Sequence, residues 1–192
     1  MEDKYSWVQK KVALTKESSA SEFFKDVTAD IEKYDLESQG DALLALASAL
    51  RVDLVPELQP STDGHLPKII FGLLAAAEEK LPNDPLPPML QATLLFYDCK
   101  DPVHAITHAL RAVEKARRSQ DMVRQTTGEL IRLYIALNNY QAVESLLAFL
   151  LDYEPGELSM EIPLESDFLA RLPVSSVSSS ILDAYRAKAG LS

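Results

Sequence analysis

Residues 90–155 read LQATLLFYDCKDPVHAITHALRAVEKARRSQDMVRQTTGELIRLYIALNNYQAVESLLAFLLDYEP, and the fold is decided in this stretch. It contains two helix pairs in tandem, each broken at a comparable place: first at Asp101-Pro102, then at Asn139-Tyr140. The second helix of each pair therefore starts about 38 residues after its predecessor, a period typical of helical-hairpin repeats. One such hairpin carries two apolar faces and cannot bury both by itself, so it stacks on neighbours and leaves a surface on which partners dock.

Within the stretch the apolar residues predict four helices. The first spans about Met89 to Asp98 and presents Leu90, Thr93, Leu94 and Tyr97. The next is capped by Asp101, takes Pro102 in its first turn, and aligns Ala105, Ile106, Ala109, Ala112, Val113 and Ala116 on one side. A stripe this rich in alanine lets two helix axes approach closely. A third helix, about Asp121 to Leu137, buries Leu130, Tyr134 and Leu137, and a fourth, Tyr140 to Tyr153, buries Val143, Leu146, Leu147 and Leu150.

Upstream the pattern is also helical. Tyr5 to Leu14 places Trp7, Val8 and Val12 together, and Ser19 with Glu22 forms a capping box ahead of Phe23, Phe24, Val27, Ile31 and Tyr34. Asp41 to Val52 is apolar nearly all round and is expected between neighbours. Val55 to Gly64 reads as a loop, and a helix from about Pro67 to Lys80 follows. Leu81 to Pro88, with four prolines, reads as a stiff linker between the two halves. After Gly156 a tail with Pro163, Pro173 and the serines of 175–180 leads to a short helix, about Ile181 to Ala189, started by Ser179 or Ser180 and expected to cap the array. Phosphorylation of those serines and a helix-cap role explain the run equally well.

The expected fold is thus all-α: a right-handed array of antiparallel helix pairs, about eight helices plus a C-terminal capping helix, in one domain over 1–192. Its parts are helix pairs in 1–80, the linker 81–88, the repeats 89–156 and the tail 157–192. At 47% hydrophobic and 25% charged the chain has the composition of a globular protein with a sizeable core. The single Cys99 allows no intramolecular disulfide, and no apolar segment follows the N-terminus, so a cytoplasmic or nuclear location is expected. The apolar run Ala42 to Leu50 is too short to span a bilayer, which takes about 20 residues.

Charge is uneven. Residues 1–99 carry 9 basic and 17 acidic side chains, residues 100–132 carry 7 and 4, and residues 133–192 carry 3 and 8. A net charge of -10 speaks against nucleic acid or an anionic membrane as partner, since both require a positive field. The basic island instead suits an acidic peptide. Arg111, Lys115 and Arg118 step by four and three along one helix, extended by Arg117, while Arg124 and Arg132 occupy the following helix; these are the candidate partner-binding residues. The competing reading is a solvated ridge balanced by Glu114 and Asp121, or one paired internally with Glu157, Glu161 and Glu165. Tyr5 and Trp7 are aromatic candidates for a contact surface or for the core.

Residues 98–112, with the Asp101-Pro102 turn and the small residues Ala105, Ala109 and Ala112, resemble the turn and second helix of a tetratricopeptide repeat. Leu130, Tyr134, Asn138-Asn139-Tyr140 and Pro155 are similar to the repeat's first-helix positions, turn tyrosine and closing proline. The likeness covers about residues 89–156. Ile131 and Val143 stand where the family has small residues, and the 38-residue offset exceeds the usual 34, which leaves a HEAT-like or other helical-hairpin array open. The resemblance implies a protein–protein interaction scaffold or adaptor, a subunit of a larger assembly, that takes a partner's peptide or helix on its first helices. The family's two-carboxylate clamp is not carried over, because the candidate first helices offer only Arg124 and Arg132.

Chemistry is sparse. His104 and His108 share a helical face at a spacing that can chelate zinc, but Ala105 stands where the zincin motif has glutamate and no third ligand is nearby. Cys99 has no evident base partner and reads as a buried structural thiol. No phosphate-cradling glycine loop is present, so no cofactor is expected. A chaperone for exported or assembling proteins is the alternative within binding, and an enzyme or regulatory domain without a recognisable motif is the alternative outside it.

Overall fold

The computed structural model describes residues 4–15, 19–54, 64–153 and 177–188. Among them are nine helices and no strand: α1 (Lys4–Leu14), α2 (Ala20–Ile31), α3 (Leu36–Leu54), α4 (His65–Lys80), α5 (Leu86–Thr93, continued by a π-helical turn Leu94–Asp98), α6 (Pro102–Ser119), α7 (Val123–Ala136), α8 (Tyr140–Asp152) and α9 (Ser179–Lys188). Consecutive helices pack in order from α3 to α8, α1 rests on α3, and α9 rests on α8. The last helix is packed through Leu182 and Val177, which join Ile131, Val143, Leu147 and Leu150 in one apolar cluster. The loop over 55–63 and the tail over 157–176 lie outside the described residues.

Local signals decide most helix ends. The Ser19–Glu22 capping box forms, with the Glu22 amide donating to Ser19 Oγ at 3.3 Å and the Ser19 amide to Glu22 Oε2 at 3.0 Å. α3 begins a turn earlier than expected from its leucines. Asp35 starts it, accepting from the Ser38 amide at 2.9 Å and the Ser38 hydroxyl at 2.8 Å. α5 also begins earlier, and Leu86 to Pro88 are helix rather than linker. The Leu86 amide donates to Asp84 Oδ1 at 2.8 Å, and proline is tolerated in a first turn because its missing N–H has no partner to lose there. Pro85, Pro87 and Pro88 are buried, so this segment packs against the core. At the other end, α9 starts at Ser179, two residues ahead of the expected Ile181, so both Ser179 and Ser180 are inside the helix; the Ser178 carbonyl accepts from the Ile181 and Leu182 amides, both at 3.2 Å.

Two of the inter-helix turns share a conformation. Lys100 and Asn138 both adopt left-handed backbone, at φ 57 and 55. Each is followed by a side-chain cap: Asp101 accepts from the His104 amide at 3.1 Å and Asn139 from the Ala142 amide at 3.3 Å. α6 and α8 then start at residues 102 and 140, which reproduces the 38-residue offset. A non-glycine residue held left-handed costs roughly 1–2 kcal/mol. Lys100→Gly is accordingly expected to stabilise the chain by about 0.5–1 kcal/mol after the extra backbone entropy of glycine is deducted. A rise of roughly 2–4 °C per kcal/mol in thermal denaturation would register it.

The links beyond consecutive packing sort the helices into two layers. First helices α3, α5 and α7 are joined by Arg51, which donates to Thr93 Oγ1 at 2.9 Å and pairs with Asp98 at 2.5 Å, and by Tyr97, whose hydroxyl donates to Glu129 at 3.2 Å. Second helices α4, α6 and α8 are joined by the Phe71–His108 ring contact, by ion pairs to Glu78, and by Arg117 over the Phe149 ring. Between the layers the alanine stripe is buried as expected, with Ala105, Ala109, Ala112 and Ala116 at most 1% exposed.

Candidate functional site

The basic ridge is carried by α6, whose 18 residues hold Arg111, Lys115, Arg117 and Arg118 against a single carboxylate, Glu114. Its register determines where each cation goes. With the alanine stripe turned inward, Arg111 and Lys115 reach the edge beside α4, Arg118, seven residues from Arg111, lies on the outward side close to it, and Arg117 falls on the edge beside α8. Arg111 and Lys115 share Glu78 of α4 at 3.5 and 3.2 Å. The side chains of Lys115 and Glu78 are 15% and 16% exposed, so this pair ties α4 to α6. Arg118 pairs with Glu114 one turn back, and its side chain is largely exposed.

Arg124 and Arg132 belong to the other layer. Arg124 is half-buried near the start of α7, and Arg132 pairs with Glu129, which also accepts from Tyr97. The five candidates thus do not form one surface. Three sit among the second helices and two among the first, and two of the three on α6 serve the α4 junction.

Internal pairing of the ridge was one of the expected alternatives, but its partner is Glu78, and the tail residues Glu157, Glu161 and Glu165 lie outside the described residues. No local spacing announces Glu78. It lies 33 residues from Arg111, a separation that only the stacking of second helices brings together.

The same junction engages His108. Its Nδ1 lies 2.8 Å from Gln91 Oε1 and 2.8 Å from Arg111 Nη2, and Arg111 also donates to Gln91 Oε1 at 3.1 Å. With the ring neutral and its hydrogen on Nε2, Nδ1 accepts from the guanidinium and Gln91 Oε1 is served by Arg111 alone; with the hydrogen on Nδ1 the ring donates to Gln91 Oε1 instead. In the first form, protonation would turn that acceptor into a donor facing a cation. Burial, then the Arg111 charge, holds the His108 pKa below its ordinary 6.5, with Glu78 opposing.

The consequence for stability has a definite sign. A group whose folded pKa is depressed contributes stability that is present above 6.5, the unfolded value, and lost as pH falls below it. The urea midpoint of the wild type should therefore fall between pH 7.5 and pH 5.5, and His108→Gln should remove His108's share of that fall. Equal slopes in both chains would show that His108 is not the titrating group.

His104 is elsewhere: its Nδ1 sits 2.6 Å from Asp101 Oδ2 at the start of α6, so the two histidines have different partners. Among the described residues no group of three or more His, Cys, Asp or Glu is arranged to hold a metal ion. Cys99 is buried, and burial, with the charges of Asp98 and Asp101, pushes its thiol pKa up, which favours the unreactive thiol over the thiolate. Trp7 is half-buried and donates to Asp30 at 3.1 Å, beside buried Lys11, which pairs with Asp26 and, at 2.7 Å, with Asp30. This seam holds α1 to α2 and assigns Trp7 to the inside of the fold; the Tyr5 side chain is outside the described residues. No helix among the described residues is long and apolar enough to cross a membrane.

What the arrangement offers is a set of sequentially packed helices with charged side chains and a few large apolar ones exposed among the described residues. No family model, curated protein or solved structure matches the chain, which stands as an all-helical protein of sequentially packed helices.

Proposed function

We propose that this protein is a protein–protein interaction scaffold, a tetratricopeptide-like tandem of helix pairs that receives a peptide or helix of a partner and serves as a subunit of a larger assembly. The observation that carries this reading is the repeated turn, a left-handed residue followed by a side-chain cap, at Lys100-Asp101 and again at Asn138-Asn139. A repeated unit stacks because each pair buries its faces against the next, and stacking leaves the outward faces of successive helices aligned as an extended surface.

The test is affinity capture from native extract followed by reconstitution from purified components. The expected result is a partner that co-elutes with the chain at fixed stoichiometry and is released by charge reversal at exposed positions, with folding retained. Recovery of no partner above a control surface, together with turnover of a small molecule by the purified chain, would replace the scaffold reading with an enzymatic one.

A further inference from the structure

The outward side of α6 has a definite pattern. Val103 and Leu110 are 64% and 46% exposed, among the largest exposures of apolar side chains in the described residues. They are seven residues apart, hence on one side of the helix and about 10.5 Å apart along its axis. A further seven residues along lies Arg117, whose guanidinium sits 4.0 Å from the centre of the Phe149 ring of α8; Arg118 lies about 100° further round the helix, on the outward side, where it pairs with Glu114. One edge of one helix thus runs from apolar to cationic over four turns. The contrast with the rest of the chain is sharp, because α6 holds four Lys or Arg and one acidic residue in a protein of net charge -10.

We infer that the outward edge of α6, through Val103, Leu110, Arg117 and Arg118, is the docking surface for an acidic amphipathic helix of a partner protein. Spacing selects the conformation. A partner helix repeats same-side residues every seven positions, about 10.5 Å, and so meets Val103 and Leu110 in step. An extended peptide repeats same-side residues at about 6.8 Å and 13.6 Å, so it reaches one apolar position and misses the other. Charge selects the sign. A segment with carboxylates at one end is repelled by the acidic bulk of the chain and drawn to Arg117 and Arg118, which also determines which way the partner helix runs.

This inference rests on the scaffold reading, and the experiment separates the two. The probe is a synthetic 18-residue helix-forming peptide with leucines seven apart and three glutamates at one end, labelled for fluorescence anisotropy. Its controls are the same peptide with lysines for the glutamates and one broken by a central proline. The chain is tested as wild type, as Val103→Ser with Leu110→Ser, and as Arg117→Gln with Arg118→Gln, each checked for folding by circular dichroism.

The acidic helix is expected to bind the wild type, to weaken with added salt, and to lose about tenfold or more in affinity with either double variant, while both control peptides fail. The inference is overturned if the acidic peptide does not bind, if the variants bind it as the wild type does, or if the proline-broken peptide binds equally well. It is also overturned if light scattering shows that the serine variants dissociate a dimer of the chain, since the occupant would then be a second copy. Partners captured from native extract equally by the wild type and both variants would remove the α6 assignment and leave the scaffold reading in place.

Discussion

Ala109→Glu is expected to leave the chain largely unfolded at 25 °C. Ala109 is 1% exposed and belongs to the cluster of Ala92, Leu95, Ala105, Val113, Leu130 and Leu133, where α5, α6 and α7 meet. Glutamate there adds four heavy atoms beyond the alanine methyl group and brings a carboxyl group with no partner. Overpacking costs about 1–3 kcal/mol. Burying an unpaired polar group adds roughly 2–7 kcal/mol even after the carboxyl takes up a proton. Against a total stability of about 5–15 kcal/mol, the sum removes most or all of the folded state. Far-ultraviolet circular dichroism with urea titration measures it. Leu110→Glu, at the very next position but 46% exposed, is the control and should shift stability by no more than about 0.5 kcal/mol. Equal midpoints for the two variants would mean that α6 does not bury its alanine face.

The second large effect is expected from Phe23→Ala. Phe23 is fully buried and, with Val27 and Ile31, forms the face by which α2 joins the N-terminal core. Removing the ring should cost about 3–5 kcal/mol. Its neighbour Phe24 lies directly over Gly72 of α4, where an added Cβ would come within 2.4 Å of the ring's Cζ. Glycine is used there because the ring occupies the space a side chain would need. Since α2 is held mainly by these side chains, hydrogen exchange should show loss of protection in α1 and α2 before α5–α8. Uniform loss across all helices would indicate instead that the chain unfolds as one unit.

Near-neutral behaviour near His108 and the glycine replacement at Lys100 are smaller effects with the same logic. Each follows from one group held in a state that the unfolded chain does not require. In the Lys100 turn that state is a left-handed backbone. At His108 it is a neutral ring whose Nδ1 faces Arg111.

Helices, caps and buried stripes were legible in the sequence because they are local. The Ser19–Glu22 box, Asp101 before Pro102, Asn139 before Tyr140 and the alanines of α6 act over three to seven residues, and the helical period places them without any knowledge of neighbours. The misjudged boundaries are equally local. Asp35 caps α3, and Asp84, one residue ahead of the N-cap Pro85, holds the first amide of α5; both helices open with polar or proline residues, so the apolar period begins only a turn later. The last helix starts two residues ahead of the expected Ile181 for a related reason: adjacent serines offer equivalent caps, and packing of Leu182 on α8 selects among the phases.

The fate of the cations was not legible. Four basic residues on one helix look like a single patch, yet Arg111 and Lys115 turn to Glu78, Arg118 to Glu114 and Arg117 to an aromatic ring. Likewise Arg51 meets Asp98 across 47 positions, at the π-helical turn that ends α5. Sequence alone determined an all-helical chain, the starts of α6 and α8 38 residues apart and the inward face of α6, since hydrophobic period and capping chemistry are properties of one helix. Tertiary structure alone decided which charges are consumed inside and which face outward, because that depends on the offset at which one helix pair stacks on the next, and no residue encodes that offset locally.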